Sequence, residues 1–133
     1  MSTERVRLHN PPTIAPPKGY SHVAEVRGGK LLFVAGQVAM DPAGSLVGPG
    51  DIRAQADQVF RNLGAALAAG GATFPDLVKI TIYLTDVAQL PEVREVRDRY
   101  VDRTHPPTST AVQVVRLFRP EYLLEIDAVA SVA

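Results

Sequence analysis

The apolar positions change period several times along the chain, and each change predicts an element. From Leu77 to Leu84, Val78, Ile80, Ile82 and Leu84 alternate with Lys79, Thr81, Tyr83 and Thr85, the period of a strand with one buried face. Ile52, Ala56, Val59, Phe60, Leu63 and Leu67 recur at helical spacing, with Arg53, Asp57 and Arg61 between them. Asp51 suits the N-cap of that helix, and Gly70-Gly71 its end. A second, narrower stripe, Val93, Val96, Tyr100 and Val101, predicts another helix. Asp86 would cap it, Pro91 is tolerated in its first turn, and Thr104-His105-Pro106-Pro107 ends it.

The remaining runs read as strands. Val23–Arg27 is short, and Gly28-Gly29 behind it is a hairpin-turn signal. Lys30–Gly36 is apolar on both faces after its first residue, which suits a central strand covered on both sides. Two β-type runs close the chain, Pro107–Arg116 and Leu123–Val129. Ahead of everything, residues 1–18 form an extended lead-in rich in proline, with Pro11, Pro12, Pro16 and Pro17.

The resulting order, β-β-α-β-α-β-β, predicts one α/β (α+β) domain over residues 1–133. Its mixed sheet, with hairpins at both ends, carries two helices on one face. The other face then needs cover, and oligomerisation is the simplest supplier for a chain of 133 residues.

Composition narrows the function classes. Fourteen basic and fourteen acidic residues cancel, so no broad basic surface for nucleic acid or an anionic membrane is expected. With no cysteine there is no disulfide framework and no thiolate nucleophile. His9, His22 and His105 are scattered without metal-ligand spacing, so no metal site is expected. No apolar run reaches the roughly 18 residues of a membrane span. Met1–Arg7 lacks a signal-peptide pattern, which makes the cytoplasm the default location.

Four places could carry chemistry. Glu125 and Asp127 share one face of an otherwise apolar strand; they are either solvated acids or a carboxylate that orients water in a cleft. Ser109 and Thr110 open a strand, where hydroxyls more often bond local backbone than ligand. Arg94 is one member of a charged helix face or a planar clamp for a carboxylate. Gly36-Gln37 ends a buried strand, where a ligand could approach bare backbone.

Taken in order, several stretches resemble the RidA (YjgF) family from about Gly19 to the carboxyl terminus. They are Gly19-Tyr20, Phe33-Val34-Ala35-Gly36-Gln37, Asp41-Pro42-Ala43-Gly44, Gln55-Ala56 with Asn62-Leu63, the strand to Asp86, Pro107–Arg116 and Glu125–Ala130. The resemblance implies a chorismate-mutase-like fold and a homotrimer with small-molecule clefts between subunits. It also implies cofactor-free hydrolysis of reactive enamines and imines to 2-oxo acids and ammonia. Glu125 would hold the water, and Tyr20, Ala35, Gly36, Arg94, Ser109, Thr110 and Ala111 would line the cleft.

Four substitutions set this chain apart from that pattern. The family arginine that binds substrate carboxylate corresponds to Ser109, the nearby cysteine to Ala111, and the serine before Gly36 to Ala35. An asparagine on the second helix corresponds to Arg94, which could replace the lost guanidinium. The alternatives are a non-catalytic trimeric module that binds a small molecule or protein and, less favoured, an endoribonuclease.

Overall fold

The computed structural model describes residues 5–133; Met1–Glu4, the start of the expected lead-in, lie outside them. Six strands and two α-helices follow in chain order: β1 (Val6–His9), β2 (Val23–Val26), β3 (Lys30–Gln37), α1 (Ile52–Ala69), β4 (Leu77–Leu84), α2 (Leu90–Arg97), β5 (Thr108–Gln113) and β6 (Leu124–Val132). The helices lie on one side of a mixed sheet, as the periodicity predicts.

The strand pairing departs from the expected hairpins. The principal sheet has the order β3-β6-β4-β5, with β4 and β5 parallel and the other pairs antiparallel. The two closing strands are therefore not neighbours: β6 inserts between β3 and β4. At the other end, Gly28 and Gly29 do turn the chain, both with positive φ, but β2 pairs with β1. The strand β1 is additional to the predicted order. Val6 and Leu8 are its only apolar residues, too short a run to stand out beside the prolines that follow. Arg5 fastens this end to the sheet by donating to the Ser131 carbonyl at 2.9 Å and pairing with Asp76 at 3.4 Å.

The core sits between sheet and helices. Phe60, Leu63 and Leu67 of α1 meet Ile80, Ile82, Leu124 and Ile126, all fully buried. Asp51 caps α1 by accepting the Ala54 N–H at 3.1 Å, as its type and place predict. Asp86 caps a single 3-10 turn, Val87–Gln89, rather than α2 itself; Pro91 lies in the first turn of α2. That helix ends at Arg97, and Tyr100 and Val101 continue its stripe from a following turn.

Inside the core, Gln55 is a buried polar clamp. Its amide donates to the carbonyls of Gly48 and Glu121 at 3.1 and 3.0 Å, and its oxygen accepts the Leu123 N–H at 2.8 Å. One side chain thereby ties α1 to the loop before it and to the start of β6.

The reading of β3 as a strand covered on both faces does not hold within one chain. It is an edge strand, and Phe33 is 78% exposed on the face away from the helices. The same open face carries Lys79, Thr81, Tyr83, Glu125 and Asp127. On the link between β5 and β6, Val115 and Phe118 are also exposed. Apolar side chains of this size at an open surface are candidates for contact with another molecule.

Candidate functional site

The predicted site residues fall into two groups on opposite faces of the principal sheet. Strand register dictates the division. Ser109 and Ala111 lie opposite Ile80 and Ile82, hence on the helix side; Thr110 lies opposite Thr81, on the open side with Asp127. Glu125 lies opposite Tyr83 on that open side.

The helix-side group lines a pocket of about 270 Å³ between α2, β5 and the segment before β2. Tyr20, Arg94, Ser109 and Ala111 meet there, joined by Lys18 and Arg97. The segment bearing Tyr20 is held against the start of β5, where the Ser21 N–H and hydroxyl donate to the carbonyls of Pro107 and Pro106 at 3.1 and 2.6 Å. Gly19 makes this approach possible. Its φ is +77°, and a β-carbon there would lie 2.9 Å from Nη2 of Arg97. Tyr20 stands edge-on to His22, ring centroids 5.3 Å apart, and a His22 ring nitrogen contacts the Ala15 carbonyl at 2.8 Å.

The electrostatics of this pocket are one-sided. Arg97 is 8% exposed; its Nε and Nη2 both donate to Oδ1 of Asp98, at 3.2 and 3.0 Å. The other oxygen of Asp98 is 3.5 Å from Nε of Arg103. The side chains of Arg94 and Lys18 form no hydrogen bond or ion pair among the described residues. Sequence reading singled out Arg94 but passed over Arg97 and Lys18. The spacing of Arg94 and Arg97, three apart on a helix, placed them side by side and was the available signal. Ser109 and Thr110 do not bond local backbone among the described residues. Thr108 instead bonds across to the neighbouring strand, its hydroxyl donating to the Val78 carbonyl at 2.8 Å.

The open-face group comprises Ala35, Gly36, Thr110 and Glu125. The register between β3 and β6 shifts between Val34 and Gln37, so Ala35 and Gly36 form an irregularity in the edge strand. Glu125 lies directly over that irregularity: a β-carbon on Gly36 would overlap its Oε2. Glu125 accepts no hydrogen bond among the described residues, whereas Asp127 accepts one from the Tyr83 hydroxyl at 3.1 Å. That bond to Asp127, more than burial or the nearby Glu125, raises the Tyr83 phenol above its ordinary pKa. Of the two acids sharing this face, one is engaged and the other available.

Arg94 therefore does not stand beside Glu125 within one chain. Two strand spacings of ~4.8 Å separate β5 from β6, and Ser109 is level with Ile80 but Glu125 with Tyr83, a further offset of ~3.3 Å per residue along the strands, so the two stand about 14 Å apart with the sheet itself between their side chains. Neither half contains a complete acid and anion clamp. No group of three or more potential metal ligands occurs among the described residues.

Comparison with known proteins puts this geometry in a family. A family model described as Endoribonuclease L-PSP matches residues 11–132. Protein DfrA of Myxococcus xanthus is 43% identical over 111 residues, covering 84% of this chain and 83% of that protein. A 2-iminobutanoate/2-iminopropanoate deaminase of Rattus norvegicus is 34% identical over 101 residues, covering 76% of this chain and 72% of the relative. Among solved structures, the Rid-family protein YyfB from Yersinia pestis superposes with a TM-score of 0.87 at 35% identity, over 97% of this chain and all of the other.

Proposed function

Because this chain belongs to the RidA (YjgF) family, we propose that it hydrolyses small enamines or imines, releasing ammonia and a carbonyl product, at clefts completed by neighbouring copies in a homotrimer. The observation that carries this reading is the unpaired Glu125 carboxylate over the bare backbone of Gly36. Relatives that match at about one-third identity and bear the name 2-iminobutanoate/2-iminopropanoate deaminase support the reaction class.

Each half-site supplies what the other lacks. The open face has an available acid; the helix-side pocket has two cations, Arg94 and Lys18, whose side chains are unpaired among the described residues. A neighbour seated on the open face would cover Phe33 and bring its own Tyr20, Arg94 and Ser109 toward Glu125. Arg94 then takes the place of the arginine that Ser109 lacks, its planar fork gripping the substrate carboxylate. Glu125 accepts a proton from water as the water oxygen attacks the imine carbon. Returned to nitrogen, that proton lets the carbinolamine collapse, so imine plus water becomes 2-oxo acid plus ammonia.

The test is ammonia release from 2-imino acids generated in solution by an amino-acid oxidase. Wild type accelerates it; Glu125→Ala and Arg94→Ala abolish the acceleration. A wild-type rate equal to the uncatalysed rate sinks the proposal. The serine at position 109 favours a second reading, a module that binds a small molecule without turning it over. That reading predicts ligand-induced thermal stabilisation with no ammonia. The ribonuclease class named by the family model is less favoured, since the chain has a formal net charge of +0. RNA cleavage that survives rigorous removal of contaminating nucleases would restore it.

A further inference from the structure

We infer that the helix-side pocket recognises a second anionic group, and that the preferred ligands are small dicarboxylates. The inference deepens the deaminase reading by naming its substrate class, yet its evidence lies in this pocket alone. Three cations, Lys18, Arg94 and Arg97, line it, and no acidic side chain does among the described residues. Asp98 offsets Arg97 in part, but it also serves Arg103. The cations Lys18 and Arg94 are thus uncompensated among the described residues, and one carboxylate neutralises only one of them.

Arg97 shows that the charge is built into the fold. Its side chain is 9% exposed, and Nη1 has no acceptor among the described residues. Nη1 is not among the fully buried unpaired atoms, so it keeps solvent contact and, with Arg97 lining the pocket, is a donor open to an anion, where a charge-assisted bond is strong. Arg94 and Arg97, three apart on an eight-residue helix, also repel one another. A ligand with two carboxylates relieves that repulsion and uses the open donor: Arg94 takes one carboxylate, and Arg97 with Lys18 takes the other. At about 270 Å³ the pocket lies just under the ~300–1,000 Å³ of ordinary ligand sites, a size for a short metabolite rather than a nucleotide or polymer.

For the proposed reaction, the substrate is then an imine or enamine of a dicarboxylic acid. Water adds to the carbon–nitrogen bond, ammonia leaves, and the product is a 2-oxo dicarboxylate. The second carboxylate takes no part in bond making.

Titration calorimetry of the intact protein tests this with 2-oxoglutarate and 2-oxopentanoate, which differ only in the terminal carboxylate. Wild type binds 2-oxoglutarate about tenfold or more tightly than its partner, the scale of one charge-assisted contact. Lys18→Gln, at an exposed position, shrinks that preference while the fold is kept, and Arg97→Met removes it. Equal affinity for the two acids, no binding of either, or a preference that persists in both variants overturns the inference. Inorganic phosphate binding as tightly as 2-oxoglutarate overturns it too, in favour of an undiscriminating anion site. Ammonia release measured in parallel separates the two proposals. Preference without turnover sinks the deaminase reading alone, and turnover without preference sinks the dicarboxylate inference alone.

Discussion

Oε2 of Glu125 occupies the space that a β-carbon on Gly36 would take. The glycine is required by this close approach and not by its backbone, since its φ is not positive. Gly36→Ala therefore leaves the strand conformation accessible and pushes the Glu125 carboxylate aside. A misplacement of about 1 Å costs on the order of 10²-fold in rate where a group must be oriented. Turnover of a 2-imino acid should fall by that order, with a far-ultraviolet dichroism spectrum like wild type. Undiminished turnover would show that Glu125 needs no such seat.

The anchor can be moved between elements. If Arg94 grips the substrate carboxylate, Arg94→Asn raises KM about tenfold or more, the scale of a lost charge-assisted hydrogen bond. Ser109→Arg added to that variant returns a guanidinium to β5, within the same pocket, and lowers KM again. Steady-state kinetics of wild type, single and double variants decide it: a double variant no better than Arg94→Asn argues against a shared role for positions 94 and 109.

Tyr83 reports on the open face through its titration. Its bond to Asp127 raises the phenol above the ordinary value of about 10. The sign is that of a raised folded-state pKa: the stabilisation is present in full below the unfolded pKa and is lost as pH rises through the folded one. Asp127→Asn should bring the Tyr83 transition back down, seen as tyrosinate absorbance appearing at lower pH. Tyr100, raised by burial, serves as the internal reference that does not move.

Gln55 connects the core to the site. Gln55→Ala strands the Leu123 N–H, two residues from Glu125, together with the carbonyls of Glu121 ahead of β6 and of Gly48 in the loop before α1. Loss of one or more of these buried partners should destabilise the protein by about 2–4 kcal/mol in denaturant unfolding, on the scale of ~1–3 kcal/mol for each stranded group. A change below about 0.5 kcal/mol would mean that water satisfies the groups as well as Gln55 does.

The exposed Phe33 tests the proposed assembly. Phe33→Glu puts a charge on the open face beside Val129, its partner across the ladder. Sedimentation should show the trimer weakened toward monomer, with the helical signal retained. A trimer unaffected by this substitution would place the subunit contact elsewhere.

Local pattern carried much of this molecule. Period-two alternation assigned β4 and the two faces of β6, so that Glu125 and Asp127 shared a side while Leu124, Ile126 and Ala128 were buried. Helical spacing and Asp51 bounded α1, and the ordered stretches from Gly19 to Ala130 led to the family. These signals are legible because side-chain period is a property of a few consecutive residues. Which strands become neighbours is not such a property. Insertion of β6 between β3 and β4, the pairing of β2 with β1, and the seat of Glu125 over Gly36 depend on contacts between residues far apart in the chain. The division of the candidate site follows from the same cause. Alternation says that Ser109 and Thr110 face opposite ways, but only the register with β4 says that Ser109 joins Arg94 and Arg97 while Thr110 joins the face of Glu125. Periodicity sets the face a residue presents; tertiary pairing sets what it meets there.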